Sequence, residues 1–373
     1  MKIVFAIKAL GNPGGGAERV LTQVASELAS RGHEIHVVTC DQVGTKPYYV
    51  LGESITFHPL GIGAVRDRAR PLEFIRRVFA FGRAIRSLQP TVVAAFMHST
   101  YLAVGLSMLG TSIPLIASEH SSREHYRKHP VQGWLLNLAP YLCTYITVVS
   151  DQILQSYGKG LRRKMVVVPN PVTIFKSEIS KDQASPKKRI LLCVGRLDYP
   201  KGHAILLQAF GSIAVQFPDW TLRIVGEGPL RAALEAQVAA LGLEDRVELP
   251  GALSNMSSEF SAAELFVLPS FYESFGLATA EALLHGLPAI GFADCAGTNQ
   301  LIVDRENGRL VSGKNRTSAL ASVLTEVMGD AEERERLSKS SRSWILDKYG
   351  IGHVADEWEG VLNAACRETQ CAG

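Results

Sequence analysis

Short apolar runs recur along this chain, most of them followed by a longer stretch with helical spacing, and this alternation limits the fold more than any other feature. Lys2–Ile7, Glu34–Thr39, Thr91–Phe96, Pro114–Ser118 and Tyr145–Val149 read as strands, with amphipathic helices expected over Ala17–Arg31 and Arg66–Leu88. Strands that are apolar on both faces need cover on both faces, so the helices belong between them and the sheet is parallel. Near Asn170 the pattern stops. Val172–Arg189 (VTIFKSEISKDQASPKKR) is polar and aperiodic and reads as a linker. The alternation then restarts, with strands at Ile190–Val194, Thr221–Val225, Val247–Leu249, Leu265–Leu268 and Pro288–Gly291. Helices are expected over His203–Phe217 and Leu230–Leu241, and a long helical region over about Thr317–Ala365. The expectation is an α/β fold of two doubly wound, parallel-sheet domains: residues 1–171, a linker 172–188, and residues 189–350. Ligands bind outside the carboxyl ends of the strands in such sheets, so both sheets are expected to face a central cleft.

Size and charge are consistent with this and exclude other classes. The chain has 373 residues, which suits two domains, and a formal net charge of +3, which is too small to imply nucleic acid. The start, MKIVFAIKALGNP, is broken by Lys8 and leads into a glycine turn, so it reads as a first strand and not as a signal peptide. No stretch reaches the roughly 20 apolar residues that span a bilayer. Cys40, Cys143, Cys193, Cys295, Cys366 and Cys371 show no metal-ligand spacing and read as reduced thiols. A cytoplasmic protein is expected.

The residues best suited to chemistry lie in the second half. Glu273 and Glu281 stand in PSFYESFGLATAEALLHGLP, where a short strand leads through a loop into a helix. Glu273 falls just before the helix and Glu281 within it, roughly 10 Å or more apart at the helical rise. A diphosphate fits between them. One carboxylate can then accept from sugar hydroxyls and the other from ribose hydroxyls, and the helix N-terminus offers N–H groups to the phosphates. Gly195-Arg196-Leu-Asp-Tyr-Pro-Lys201-Gly202 follows the first strand of this half. Its glycine admits a ligand to the backbone, and Arg196 and Lys201 can clamp two phosphates and stabilise a departing nucleoside diphosphate. No Asp-x-Asp occurs, so these two cations, and no metal, are expected in that role.

The first half offers less. Gly14-Gly15-Gly16-Ala-Glu18-Arg19 is a strand-to-helix turn that can bring N–H groups against an anion. It is not a dinucleotide fingerprint, because Arg19 stands where a small residue is needed, although Asp41 after the second strand imitates a ribose acceptor. In Ser118-Glu119-His120, His120 at a strand's carboxyl end can hydrogen-bond a sugar hydroxyl or shuttle a proton; His125 and His129 lie nearby in a charged loop. Arg66, Arg68, Arg70, Arg76, Arg77, Arg83 and Arg86 stand among Leu72, Phe74, Ile75, Val78, Phe79, Phe81 and Ile85. Arginines interleaved with aromatics suit an anionic membrane surface, and an ordinary domain helix with one core-facing side reads the same way.

Taken together, the Glu-seven-Glu motif in its ESFGL context, the Gly-Arg…Lys loop and the two Rossmann-like halves resemble glycosyltransferase family 4, retaining enzymes of the GT-B type, over nearly the whole chain. The resemblance implies that Glu273 contacts the donor sugar and that Phe275, Gly276 and Leu277 present amides to the diphosphate. It further implies that Glu281 binds the ribose, that Arg196 and Lys201 hold the diphosphate, and that Leu253 touches the base. His120 would lie near the reacting carbon, Gly16 would let the N-terminal loop approach phosphate and acceptor, and a last helix, about 351–373, would pack back onto the first domain. GGGAERV, ASEHSS and VVPNPV are similar to a bacterial subgroup that extends polyprenyl-diphosphate-linked oligosaccharides, some with UDP-N-acetylgalactosamine. That likeness implies a UDP-hexose or UDP-N-acetylhexosamine donor, a lipid-linked glycan acceptor, no metal cofactor, and work on the cytoplasmic face of the inner membrane. The competing readings are a sugar-nucleotide epimerase of similar fold, a dinucleotide-dependent oxidoreductase, and a glycan-binding protein without turnover.

Overall fold

The computed structural model describes residues 1–11, 15–63, 71–121, 126, 130–173, 189–253 and 255–371. The polar stretch 174–188, Gly14, Arg66, Arg68, Arg70, His125 and His129 lie outside the described residues. The chain divides into two compact units, Met1–Pro171 with Ile351–Gly373, and Val172–Gly350.

Unit 1 is built on seven parallel strands among the described residues: β1 Lys2–Ile7, β2 Glu34–Thr39, β3 Thr56–Pro59, β4 Val92–Phe96, β5 Leu115–Glu119, β6 Tyr145–Val148 and β7 Met165–Val167. Their order is β3-β2-β1-β4-β5-β6-β7. The chain winds outward from β1 and then returns to lay β4 on its other side, which puts the topological switch between β1 and β4. The connecting helices are α1 Gly16–Ser30, α2 Pro71–Leu88, α3 His98–Ser107, α4 Pro130–Leu136, α5 Ala139–Leu142, α6 Asp151–Ser156 and α7 Lys159–Arg162. In α2 the spacing sorts the residues: Arg77, Phe81 and Ile85 are buried, whereas Leu72, Ile75, Arg76, Phe79, Arg83 and Arg86 are exposed. Arg77 is therefore not part of a basic surface. It is ion-paired inward with Glu73, one turn earlier.

Unit 2 repeats the plan with β8 Arg189–Val194, β9 Trp220–Val225, β10 Val247–Gly251, β11 Leu265–Leu268, β12 Ala289–Phe292 and β13 Gly308–Val311, in the order β10-β9-β8-β11-β12-β13, all parallel. Its helices are α8 His203–Ile213, α9 Arg231–Ala240, α10 Met256–Ala262, α11 Leu277–Leu284, α12 Ala296–Asn299, α13 Arg316–Gly329 and α14 Ala331–Tyr349. The switch here lies between β8 and β11. The long helical region expected at the end of the chain is made of three helices. Asp330 breaks it first by capping α14, its carboxylate accepting the Glu333 N–H at 2.9 Å. Gly350, in extended conformation, breaks it again.

The last helix, α15 Ile351–Cys371, belongs to unit 1. Val354, Ala355, Trp358, Val361, Leu362 and Ala365 form its apolar stripe and join the core beside β1 and α1. Trp358 stacks on Phe96 at 5.6 Å and meets Phe5 edge-on at 6.2 Å. Arg31, at the end of α1, fastens the helix from outside. Its guanidinium donates to Asp356 at 2.6 Å, to Glu359 at 2.9 Å and to the Gly352 carbonyl at 2.8 Å. Cys40, Cys143, Cys193 and Cys295 are buried thiols and Cys366 is half-buried.

In unit 2 the first residue of α8, His203, is 1 % exposed, and neither ring nitrogen has a hydrogen-bond partner among the described residues. Burial, and then the Lys201 charge, push its pKa down to about 4. The unfolded chain takes up this proton near pH 6.5 and the folded one near 4, so the unfolded state binds more protons between those values, and stability is lost as the pH drops from about 6.5 to 4. His203→Leu should therefore flatten the decline in melting temperature between about pH 6.5 and 4; an unchanged slope would remove His203 from the titration. Trp358→Ala should destabilise unit 1 by about 3–5 kcal/mol, measured by urea unfolding followed by circular dichroism. A loss below about 1 kcal/mol would mean that α15 is only loosely packed.

Candidate functional site

In unit 2 the loops after β8 and β11, the two strands at the switch, meet backbone to backbone. Gly202 has φ +68°, and a Cβ there would stand 2.1 Å from the Pro269 carbonyl oxygen, so only glycine fits. The Phe271 N–H donates to the Pro200 carbonyl at 2.8 Å. This contact brings together two residues that are 72 positions apart: Lys201 Nζ lies 2.5 Å from Glu273 Oε1. Ser270 Oγ donates to the same oxygen at 2.7 Å. The Glu273 carbonyl accepts the Gly297 N–H at 3.0 Å, which ties in the loop after β12. Burial alone would lower the Lys201 pKa, but the Glu273 carboxylate, by charge and by hydrogen bond, and then Asp198, turn the net shift upward. Lys201 is thus a fixed ammonium at neutral pH.

The glutamate motif folds as its spacing predicts. Gly276, at φ +90°, caps α11, and Leu277 begins the helix. Phe275 is buried, its ring edge-on to Tyr349 at 5.2 Å, so it can serve a ligand only through its backbone. The N–H groups of Phe275, Gly276 and Leu277 make no hydrogen bond among the described residues, and the helix dipole favours an anion there. Glu281 lies just over one turn into α11 and is 9 % exposed. Thr279 is buried beside it, its Oγ1 3.7 Å from where a Cβ on Gly276 would stand. Gly195 ends β8 and donates its N–H to the Val225 carbonyl. Arg196 differs from Lys201: its side chain is 71 % exposed, and Asp198 lies 3.7 Å from it. Leu253 is half-buried just past the end of β10, two strands from β8.

Unit 1 holds Gly16 and His120. Gly16 is the exposed first residue of α1, with Gly15 extended before it. After β1, the Asp41 carboxylate accepts the Leu10 N–H at 2.7 Å and the Gly11 N–H at 3.4 Å. Asp41 is buried, so it is committed to the chain and does not serve as a ribose acceptor. The first turn of α1 already carries a carboxyl group of its own. The Glu18 carboxyl folds back against Gly15, its pKa raised by burial and partly relieved by its own backbone N–H.

His120 follows β5. Its ring is stacked on Phe96 at 5.3 Å, and Nε2 lies 3.0 Å from Ser118 Oγ. His120 is half-buried as a residue, and burial pushes its pKa down to about 4. The neighbouring Glu119 is fully buried. Its carboxylate accepts from Tyr101 Oη at 2.7 Å, Tyr126 Oη at 2.6 Å and the Ser121 N–H at 2.7 Å, so both sides of His120 are anchored. Sequence reading passed over Glu119, Ser270 and Met97. Met97 joins β4 to α3 at φ +69°, an uncommon conformation for a side-chain-bearing residue, and nothing in its residue type signals it.

The profile described as "Glycosyltransferase Family 4" matches residues 14–174, and that described as "Glycosyl transferases group 1" matches residues 175–344. A Campylobacter jejuni GalNAc-alpha-(1->4)-GalNAc-alpha-(1->3)-diNAcBac-PP-undecaprenol alpha-1,4-N-acetyl-D-galactosaminyltransferase is 28 % identical over 360 residues, covering 96 % of this chain and 97 % of the relative. An alpha-D-kanosaminyltransferase of Streptomyces kanamyceticus is 31 % identical over 277 residues, 67 % of this chain and 70 % of the relative. Among solved structures, Anabaena HepE in complex with UDP and glucose superposes with a TM-score of 0.78 at 18 % identity, covering 97 % of this chain and 99 % of that one. Two Rossmann-like units with parallel sheets are the GT-B architecture, and the chain belongs to glycosyltransferase family 4.

Proposed function

We propose that this glycosyltransferase moves a hexose or N-acetylhexosamine from a UDP-sugar, with retention, to a hydroxyl of a polyprenyl-diphosphate-linked oligosaccharide. The observation that carries the donor half is the Lys201–Glu273 pair beside the unused N–H groups that open α11. The diphosphate draws on Lys201, the exposed Arg196 and those amides; Glu273 accepts from the sugar, Glu281 from the ribose, and Leu253 meets the base. His120 and Gly16 are assigned to the transferred sugar and to the phosphate side of the acceptor. The anomeric C–O bond breaks through an oxocarbenium-like state, and the electron pair leaves with the diphosphate. The acceptor hydroxyl attacks the same face and gives its proton to a leaving phosphate oxygen. A metal is not needed, because the charge that develops on the diphosphate is met by fixed cations and helix amides. The UDP of HepE supports the choice of base.

The acceptor half rests on the Campylobacter relative and on one face of unit 1. The exposed side of α2 carries Leu72, Ile75 and Phe79 beside Arg76, Arg83 and Arg86. Helix α3 packs against α2, α4 and α5, and Trp134 of α4 and Tyr141 of α5 are exposed. Aromatic and apolar side chains flanked by arginines suit the headgroup layer of an anionic membrane, where a lipid-linked acceptor resides. No helix among the described residues is long and apolar enough to cross a membrane, so contact would be peripheral.

A panel of UDP-, GDP- and ADP-sugars, scored by thermal shift and by release of nucleoside diphosphate, tests the donor. A UDP-sugar alone should stabilise the fold and be hydrolysed slowly; a response to none, or only to a GDP- or ADP-sugar, would overturn the assignment. Lys201→Ala should lower kcat by about 10²–10³, the range for losing one preorganised stabiliser, and wild-type turnover would remove that role. Glu281→Gln should weaken donor binding by about tenfold, roughly the worth of one charge-assisted hydrogen bond, with unchanged affinity arguing against the ribose contact. Activity should survive EDTA; a loss restored by Mg²⁺ would show that a metal is used.

A further inference from the structure

His120 ends a chain of three side chains whose protons can be counted. Ser118 on β5 and Thr147 on β6 stand directly opposite each other in the sheet register, each 2 % exposed. Thr147 Oγ1 lies 3.0 Å from Ser118 Oγ, which lies 3.0 Å from His120 Nε2. Among the described residues the Thr147 hydroxyl has no other partner. Each hydroxyl has one proton to give. If Ser118 gave its proton to Thr147, the Thr147 proton would be buried with no acceptor, which folded proteins avoid. Every donor is satisfied only in the other direction: Thr147 donates to Ser118, and Ser118 donates to His120 Nε2. Nε2 is then an acceptor and carries no proton. Burial keeps the ring neutral well below pH 7, so its one N–H must be on Nδ1. Nδ1 makes no hydrogen bond among the described residues, which leaves its N–H for a ligand.

We infer that Ser118 and Thr147 are positioning residues that lock His120 as the Nδ1–H tautomer, so that His120 meets its ligand as a hydrogen-bond donor and not as a base. The stack on Phe96 holds the ring plane, and Glu119 holds the backbone on both sides. The inference rests on the proposed contact between His120 and the transferred sugar, and it decides between the two roles open to this histidine. A donor at Nδ1 suits the lone pairs of a sugar oxygen and cannot take the acceptor's proton. That leaves the departing phosphate as the base.

The tautomer can be read without substrate, from the ring nitrogens of histidine-labelled ¹⁵N protein, with His120→Asn used to assign the signals. The wild type should show a pyrrole-type Nδ1 and a pyridine-type Nε2. Ser118→Ala and Thr147→Val should each move the ring toward Nε2–H, and Thr147→Ser should restore it. In the transfer assay Ser118→Ala should lower kcat by about tenfold while the donor KM stays within about threefold, in keeping with the loss of one oriented hydrogen bond. An Nε2–H ring in the wild type, or an unchanged tautomer in Ser118→Ala, would overturn the inference whatever the activity. Wild-type transfer by His120→Asn would instead overturn the sugar contact and leave the tautomer assignment standing, so the two failures are distinguishable.

Discussion

Parallel pairing of short strands is the constraint from which the other features follow. A parallel pair cannot be closed by a tight turn. Each connection must cross the sheet, and the crossing elements cover both faces. The strands become apolar along their length, as in β4, where all of Val92–Phe96 is buried. Polar chemistry is then displaced to the loops, and the loops at the carboxyl ends gather where the strand order reverses. In unit 2 that reversal sets β8 beside β11, and the loops after them are the ones that hold Lys201 and Glu273.

The Lys201–Glu273 pair is more than a surface contact. Both side chains are largely withdrawn from water, at 23 % and 12 % exposed, so each charge relies on the other. In the absence of ligand this pairing keeps an ammonium in place without leaving it bare. A diphosphate would compete for that ammonium, whereas Arg196 stays in solvent until one arrives. One cation is held in a pair and the other stands exposed, a division that the motif alone does not reveal.

Sequence alone revealed the interior strands, because an apolar run between turn residues can hardly fold as anything else. It did not reveal β3, whose Thr56–Pro59 is only partly buried and ends in proline, or α3, which is buried on nearly all sides and so lacks an apolar stripe. It ran over the Asp330 cap, although Asp-x-x-Glu is a helix-start signal, because the residues on both sides are strong helix formers. Glu273, Glu281 and Lys201 in unit 2 and His120 in unit 1 stood out as candidates by type and local setting. Their partners were not. The Lys201–Glu273 contact depends on which strand lies beside which, and the Ser118–Thr147 opposition depends on register. Asp41 stands in a suggestive place, but the N–H groups of Leu10 and Gly11 already claim its carboxylate.

The way α15 completes unit 1 has a consequence for synthesis. The core around β1 and α1 requires Trp358 and Leu362, which are made only after the whole of unit 2. Unit 2 is continuous in sequence from Val172 to Gly350 and can close before them. At about 5–20 residues per second, the first-made unit waits roughly 10–40 s for its final helix. During that interval the apolar seat of α15 is open to water, to chaperones and to other nascent chains. Folding in this protein therefore runs against the order of translation: the domain begun first is finished second.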